Sequence, residues 1–452
     1  MIGILLLIIS LILYFQPKYR YISYFMYLSF MAGSSGGFNL WTSAVVGFKL
    51  SDCALIYTIV VITYLVVTRK TLLPKIKQLK YYKFFLCFIA LSFCFSFEYY
   101  GLSFYEVLQG GRNFLLLLSL IVLVRVQPYE FRKLMQMMMW VCFITSILYI
   151  GQVVLKRPLM PYGDFEGSLE RSTGIMRFYN APVNLALFLT LSFIYPQMFR
   201  NTRIPLIVFR IVFFVAQMCT LGRTGIAVSL LTVMLAMALQ GSMKKIFKVA
   251  IVLGILITPF IGTISQRFEG GNTDDDLNSV LSGKFGKDYD PHANSDATML
   301  YRFAWCYERA DYLLKRPFVE QFFGMGLTTG SSDWQFRKYK FHIGLPDEQY
   351  RIVQLITPDI SYGNMITYLG FGGMVIYISM IIGFARVLWK YRKDNPCLTT
   401  LTSLILMSFV GGFSGSGLSD PKTLTIYFLA LSIVTNQMCC KKQYMGFEYV
   451  TK

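Results

Sequence analysis

The sequence predicts an all-α, polytopic membrane protein of about twelve to fourteen transmembrane helices with one large polar loop. Three observations carry this. Of 452 residues, 55% are hydrophobic and only 15% charged, and mean hydropathy is positive, +0.51, outside the range of soluble domains. Apolar runs follow one another with short connections, and a helix needs roughly 20 residues to cross about 30 Å of hydrocarbon. Basic clusters alternate along the chain with polar, less basic connections, which orients the helices.

The formal charge of +19 reads as topology and not as a nucleic-acid footprint, because the basic residues sit in short clusters beside apolar runs. The nine cysteines are scattered, mostly inside apolar runs, without metal-ligand spacing. With two histidines in the chain, neither a zinc centre nor another metal site or cofactor is expected. The first residues, 1–15, carry no basic leader and no small-residue cleavage site, so they read as a first helix.

Lys18 with Arg20, the stretch 69–83, Arg132-Lys133, Arg200 with Arg203, 244–248, 386–393 and Lys441-Lys442 read as cytoplasmic. The connections 33–49, 98–112, 156–177, 221–225, 265–358 and 414–422 then face outward. Counting between these markers gives about thirteen spans, with short ones at 2–15 and 21–31. Residues 1–264 form the N-terminal helices, 265–358 the large outward loop and 359–452 the C-terminal helices with a short tail, all one membrane-embedded domain. No internal repeat stands out, which weakens a transporter reading.

The loop 265–358 holds 13 of the 24 acids and 11 Lys and Arg, so it is polar and near neutral. Its first part, 269–296, reads as irregular chain. From 297 to 316, Leu300, Phe303, Ala304, Tyr307, Ala310 and Leu314 recur at helical spacing, which predicts an amphipathic helix ended by Pro317. A loop this long among short connections points to function.

Outward arginines run against the topological bias and need another reason to be there. Arg171 and Arg177 flank the outer end of the seventh span, Arg223 lies in the turn Leu221-Gly-Arg-Thr-Gly225, and Arg302 lies in the loop helix. Guanidinium forks bind phosphate oxygens bidentately, so a convergent set suits a phosphate or pyrophosphate ligand. Taken singly, each also fits a local ion pair or a headgroup contact. The two glycines of the 221–225 turn read as permitting a tight connection. Asp359, in Thr357-Pro-Asp-Ile-Ser-Tyr-Gly-Asn364 ahead of the apolar run 365–385, fits a general base at a cavity mouth and equally a helix N-cap. Tyr362 beside it and His342 in the loop are further candidates for the site, His342 in a basic context. His292, in the irregular segment, reads as structural or without a specific role, and Asp274-Asp275-Asp276, which could bind a divalent ion, read rather as solvated loop.

Several of these segments resemble the O-antigen polymerase and ligase superfamily. Arg171-Ser-Thr-Gly174 with Asn180-Ala-Pro-Val-Asn184 is similar to the R-x-x-G and N-P-N-like element of that family. Leu221 to Gly225 is similar to its S-R-[TG]-G turn. Arg302-Phe-Ala-Trp305, Lys315-Arg-Pro317 and Phe323-Gly-Met-Gly326 resemble its loop pattern, and 359–373 the run that opens the helix after the loop. The matches are short, but their order over 171–373 is the family's. The chain departs from the ligases, which carry histidine where Asp359 stands, and this favours the polymerase branch.

The resemblance implies a GT-C-type glycosyltransferase of the bacterial inner membrane. It would polymerise undecaprenyl-pyrophosphate-linked repeat units of O-antigen or capsule at the periplasmic face. Implied partners are those lipid-linked glycans and membrane lipids, with a chain-length regulator left open. Arg171, Arg223 and Asp359 would be catalytic, and Arg177, Arg302, Tyr362 and His342 would hold substrate. The rival readings are an O-antigen ligase and a lipid-linked oligosaccharide flippase or other transporter.

Overall fold

The computed structural model describes residues 2–33, 36–41, 49–161, 168–169, 174–200, 202–241, 243–258, 262, 278–283, 285, 298–347 and 349–448. Arg171, His292 and the 274–276 acids lie outside the described residues. The chain runs through α1 (Ile2–Tyr14), α2 (Arg20–Met31), α3 (Leu50–Val67), α4 (Leu79–Glu98) and α5 (Phe104–Leu115), which continues through a 3₁₀ turn into α6 (Ser119–Leu123). Next come α7 (Pro128–Leu155), α8 (Leu185–Ile194), α9 (Gln197–Arg200), α10 (Leu206–Cys219), α11 (Arg223–Leu239) and α12 (Met243–Ile257). A short antiparallel hairpin, β1 (Ser168–Leu169) and β2 (Met176–Arg177), precedes α8. The long loop supplies α13 (Thr298–Leu314), α14 (Phe318–Phe323) and α15 (Asp333–Lys338), and the chain ends with α16 (Ser361–Tyr391), α17 (Pro396–Gly411) and α18 (Thr425–Glu448).

The fold is mostly helical, and among the described residues α3, α4, the run Phe104–Leu123, α7 and α16 are long and apolar enough to cross a membrane. Five shorter apolar helices, α1, α8, α10, α11 and α17, accompany them. An apolar run between charge markers reads as a span whether or not all of it is helical. The run into α8 shows the difference, because only 10 of its residues are helix, about 15 Å at 1.5 Å per residue, and residues 178–184 before it are non-helical chain.

Exposed side chains on the long helices are large and apolar. On α7, Trp140, Ile144, Ile147 and Val154 form such a stripe, while Met135, Met138, Cys142, Ser146, Tyr149 and Gln152 turn inward. A soluble protein hides surfaces of that size, and a bilayer solvates them. Small polar groups join the helices inside: Ser23 Oγ lies 2.6 Å from Tyr57 Oη and Tyr27 Oη lies 2.6 Å from Thr58 Oγ1, hydrogen bonds of the kind that hold helices together where lipid removes the hydrophobic drive.

The two ends of the bundle differ. At one, Tyr129 donates to the Pro17 carbonyl at 2.9 Å, Arg125 donates to the carbonyl of Thr71, Asn436 donates to that of Val126 at 3.0 Å, and Lys133 lies over Tyr21. The basic connections 17–21, 69–83 and 125–133 thus meet at one end. The ends of α2 and α10, the starts of α8, α11 and α18, and part of the long loop meet at the other, around a cavity.

The described part of the loop has a small core of its own, Leu313, Met325, Tyr339, Phe341 and Leu355. The amphipathic helix expected at 297–316 is present as α13, but its buried face is Leu300, Ala304, Trp305, Arg309 and Leu313, with Tyr307 and Leu314 outside. An arginine causes the rotation. Arg309 is 0% exposed, sits 4.2 Å from the Trp305 ring centroid and 4.5 Å from that of Phe341, and donates through Nε and Nη2 to the Gln354 carbonyl at 3.2 and 3.1 Å. Burial pulls its pKa down to about 10, and the Glu308 carboxylate at 2.6 Å opposes that. Sequence periodicity places no arginine in a core, so the face it reads is displaced.

Two glycines lock this loop to α16. Gly324 (φ 88°, ψ −162°) and Gly370 (φ 66°, ψ −178°) both adopt a conformation that is essentially confined to glycine. The break at Gly370 frees the Thr367 carbonyl to accept from the Met325 amide at 2.7 Å. Asn364 clamps the approach to α16, accepting from the Thr357 amide at 2.9 Å and donating to its carbonyl at 2.7 Å. Asn364→Ala is expected to destabilise the protein by about 1–3 kcal/mol, because both buried Thr357 groups lose their partner. A thermal midpoint equal to wild type in detergent would show that the clamp carries no such stability.

Candidate functional site

The segment before α8 is held inside the bundle by side chains from neighbouring helices. Tyr149 donates to the Phe178 carbonyl at 2.8 Å, Gln152 donates to Asn180 Oδ1 at 2.8 Å, and Asn39 donates to the Ala181 carbonyl at 2.8 Å. This fixes Arg177, at the end of β2, and brings the chain to Asn184, whose left-handed backbone (φ 61°) turns it into α8. Leu221, also left-handed at φ 51°, turns the end of α10 into α11. The expectation that the two glycines of this turn supply its geometry is therefore corrected: the residue at positive φ is Leu221, while Gly222 has a φ of −81°.

These elements enclose a cavity of about 1160 Å³. Arg177, Arg223, Arg302 and Asp359 all line it, so four of the candidates from the sequence, spread over 183 positions of chain, converge. Arg223 is the first residue of α11, and the first turns of α8 and α11 both border the cavity without an acidic residue. A helix start carries amides with no internal partner and the positive end of the helix dipole. The two starts therefore add to the arginines' field and do not oppose it.

Asp359 does not cap α16. The N-cap is Ile360, without a side-chain cap bond, and the Asp359 carboxylate lies 3.8 Å from Arg302 Nη2 instead. The pair is partly open, with side-chain exposures of 35% and 21%. Arg302 Nε is buried and finds no hydrogen-bond partner among the described residues. α13 holds Arg302 here because Trp305 packs against Gly363, where a Cβ would come within 2.4 Å of the ring.

Tyr362 and His342 are not brought to the cavity wall. The Tyr362 hydroxyl donates to the Phe409 carbonyl at 2.7 Å and its ring packs on Phe413, tying α16 to α17. His342 is exposed, with its backbone amide donating to Glu308 at 2.8 Å, and its neighbours Gly344 and Leu345 reach the cavity instead. Three residues not singled out in the sequence do line it: Lys422, Asp420 and Gln217. Lys422 carries the same signal as the arginines, a cation in a connection that the charge pattern reads as outward. Asp420 accepts from the Lys422 amide at 3.1 Å and so shapes the turn that presents it. Gln217, neutral and inside an apolar run, carries no sequence signal.

Among the described residues, four cations, two carboxylates and two helix starts make a site suited to an oxyanion ligand, with apolar wall from Leu28, Met31, Phe38, Leu187, Leu404 and Ile426. The charged groups meet an apolar surface as an amphiphile with an anionic head would require. No protein-family model matches the chain, and no curated protein matches it.

Proposed function

We propose that the chain is a glycosyltransferase of the bacterial inner membrane, with about thirteen spans in a GT-C-like arrangement. It joins undecaprenyl-pyrophosphate-linked repeat units into O-antigen or capsular polysaccharide at the outer face. The observation that carries this reading is the convergence of Arg177, Arg223, Arg302 and Asp359 on one cavity. The position of the basic connections at the other end of the bundle supports an outward-facing site, since such clusters stay cytoplasmic.

In this reaction the bond from the anomeric carbon of the growing chain to the pyrophosphate oxygen breaks. The acceptor hydroxyl oxygen forms the new glycosidic bond, and undecaprenyl pyrophosphate leaves. Negative charge accumulates on the leaving diphosphate, and preorganised guanidinium groups and helix amides stabilise it without reorganising. The acceptor proton goes to Asp359. Arg302, 3.8 Å away, orients that carboxylate. The loop wall, built from Tyr301, Arg302, Gly344 and Leu345, keeps water from the donor, whose hydrolysis is the competing reaction.

Asp359→Asn preserves size and removes the base. Chain extension by purified protein, supplied with lipid-linked repeat units and no nucleotide sugar or ATP, is expected to fall by about 10²–10⁴, with donor binding retained. A ladder of wild-type length from the Asn variant would remove Asp359 from the mechanism. Transfer onto lipid A core in place of extension would turn the assignment to a ligase.

A further inference from the structure

The start of α11 carries two glycines, Gly222 at the N-cap and Gly225 in the first turn, that nothing among the described residues requires. Gly222 has an ordinary φ, and Gly225 lies inside the helix and outside the positive-φ positions. A Cβ on Gly222 would come no closer than 3.9 Å to Arg177 Nη2, and one on Gly225 no closer than 3.9 Å to Gln217 Nε2, both ordinary contacts. Glycine weakens a helix relative to alanine, so Gly225 costs stability with no return among the described residues. What it leaves open is the surface of the turn, over the first amides of α11 that no helix satisfies internally.

The same approaches place one donor on each flank of that surface, the Arg177 guanidinium by Gly222 and the Gln217 amide by Gly225. Gln217 is 6% exposed, lines the cavity, and uses its backbone carbonyl, not its side chain, in the hydrogen bond with Thr220. Its side-chain amide makes no hydrogen bond among the described residues. That leaves the amide available to a ligand in the cavity that Gln217 lines.

The geometry points to an oxyanion seat on the first turn of α11, where Gln217 Nε2 donates beside Arg177 and Arg223 to a diphosphate lying against the bare backbone of Gly222 and Gly225. This rests on the reading that the cavity takes a diphosphate-linked lipid. The arginines supply attraction, and the buried, uncharged amide fixes how the diphosphate sits.

The test uses the full chain in nanodiscs of zwitterionic phospholipid, with inorganic pyrophosphate and a short-chain polyprenyl diphosphate as probes, read by calorimetry. Gly225→Ala is expected to melt at or above the wild-type temperature and to bind both probes at least about ten-fold more weakly, since its Cβ covers the seat. Gln217→Met, of similar length without the amide, is expected to lose about ten-fold, the size of one hydrogen bond to a charged group. Gln217→Glu, which turns a donor into a repelling charge, loses more. Wild-type affinity in Gly225→Ala and Gln217→Met overturns the seat, as does failure of the wild type to bind either probe. Displacement of both probes by phosphatidylglycerol at matching strength overturns it in favour of a phospholipid headgroup. Chain extension on the same preparations separates the two ideas: wild-type protein that binds both probes and extends no lipid-linked glycan sinks the polymerase assignment and leaves the seat to stand on its own binding data.

Discussion

Arg223→Ala is expected to lower chain extension by about 10²–10³, the loss seen when one preorganised oxyanion donor is removed from an active site. Arg223 combines two sources of positive potential, since its guanidinium lines the cavity and it is also the first residue of α11. Removing the side chain leaves the helix start but takes away the only group on that turn with full charge and a bidentate fork. Arg223→Lys should fall between the two, because a lysine keeps the charge and loses the planar fork. The measurement is the length distribution of glycan chains at matched protein levels, with the purified extension assay beside it. Long chains from the alanine variant would mean that the turn does not face the diphosphate. A loss confined to donor affinity, with an unchanged maximal rate, would make Arg223 a binding group and not a catalytic one.

Gly370→Ala has the second large effect, on assembly. Gly370 sits at φ 66° and ψ −178°, where a side chain costs about 1–3 kcal/mol. Its added Cβ would lie 2.5 Å from the Gly324 nitrogen and 2.6 Å from the Gln321 carbonyl oxygen, and these are backbone atoms that cannot swing aside. Gly324→Ala meets the same wall from the other side, 2.6 Å from the Gly370 nitrogen. Each variant is expected to undock the α14 segment from α16, with a loss of several kcal/mol from strain and overlap together. The readout is protease sensitivity of the loop together with the yield of folded protein in detergent. Wild-type resistance in both variants would show that the loop holds to α16 without this contact. Because α13 carries Arg302 to Asp359, undocking should also cost activity, and restoring glycine is the control.

Much of the site was legible because one physical argument reaches it. A cation in a connection that the charge pattern reads as outward opposes the bias that distributes charge across a membrane, so on that reading it serves something else. That argument finds Arg177, Arg223 and Arg302, and applied evenly it reaches Lys422 as well. It does not reach Gln217, whose meaning lies in being buried, unbonded and beside Gly225. It also does not exclude Tyr362, which stands three positions from Asp359 in sequence but points its hydroxyl at α17. Nearness along the chain is a poor guide where an extended segment enters a helix, since successive residues then face different neighbours. Asp359 shows the same in reverse: Asp after Pro and before a helix reads as a cap, yet the carboxylate turns to Arg302 and the cap is left to Ile360.

Composition and the alternation of basic clusters determined by themselves a mostly helical chain with several helices long and apolar enough to cross a membrane, and a polar loop with a helix in it, because transfer of charge and of unpaired backbone groups into hydrocarbon is so costly that few architectures remain. Tertiary structure alone decided which apolar runs are full helices, that α8 starts within the bundle, that Arg309 is a core residue, and that the two Gly-only kinks at Gly324 and Gly370 interlock. Each of these depends on contacts between segments far apart in sequence. A side chain's energy there is set by what packs against it, and the order of residues along one strand of chain does not contain that.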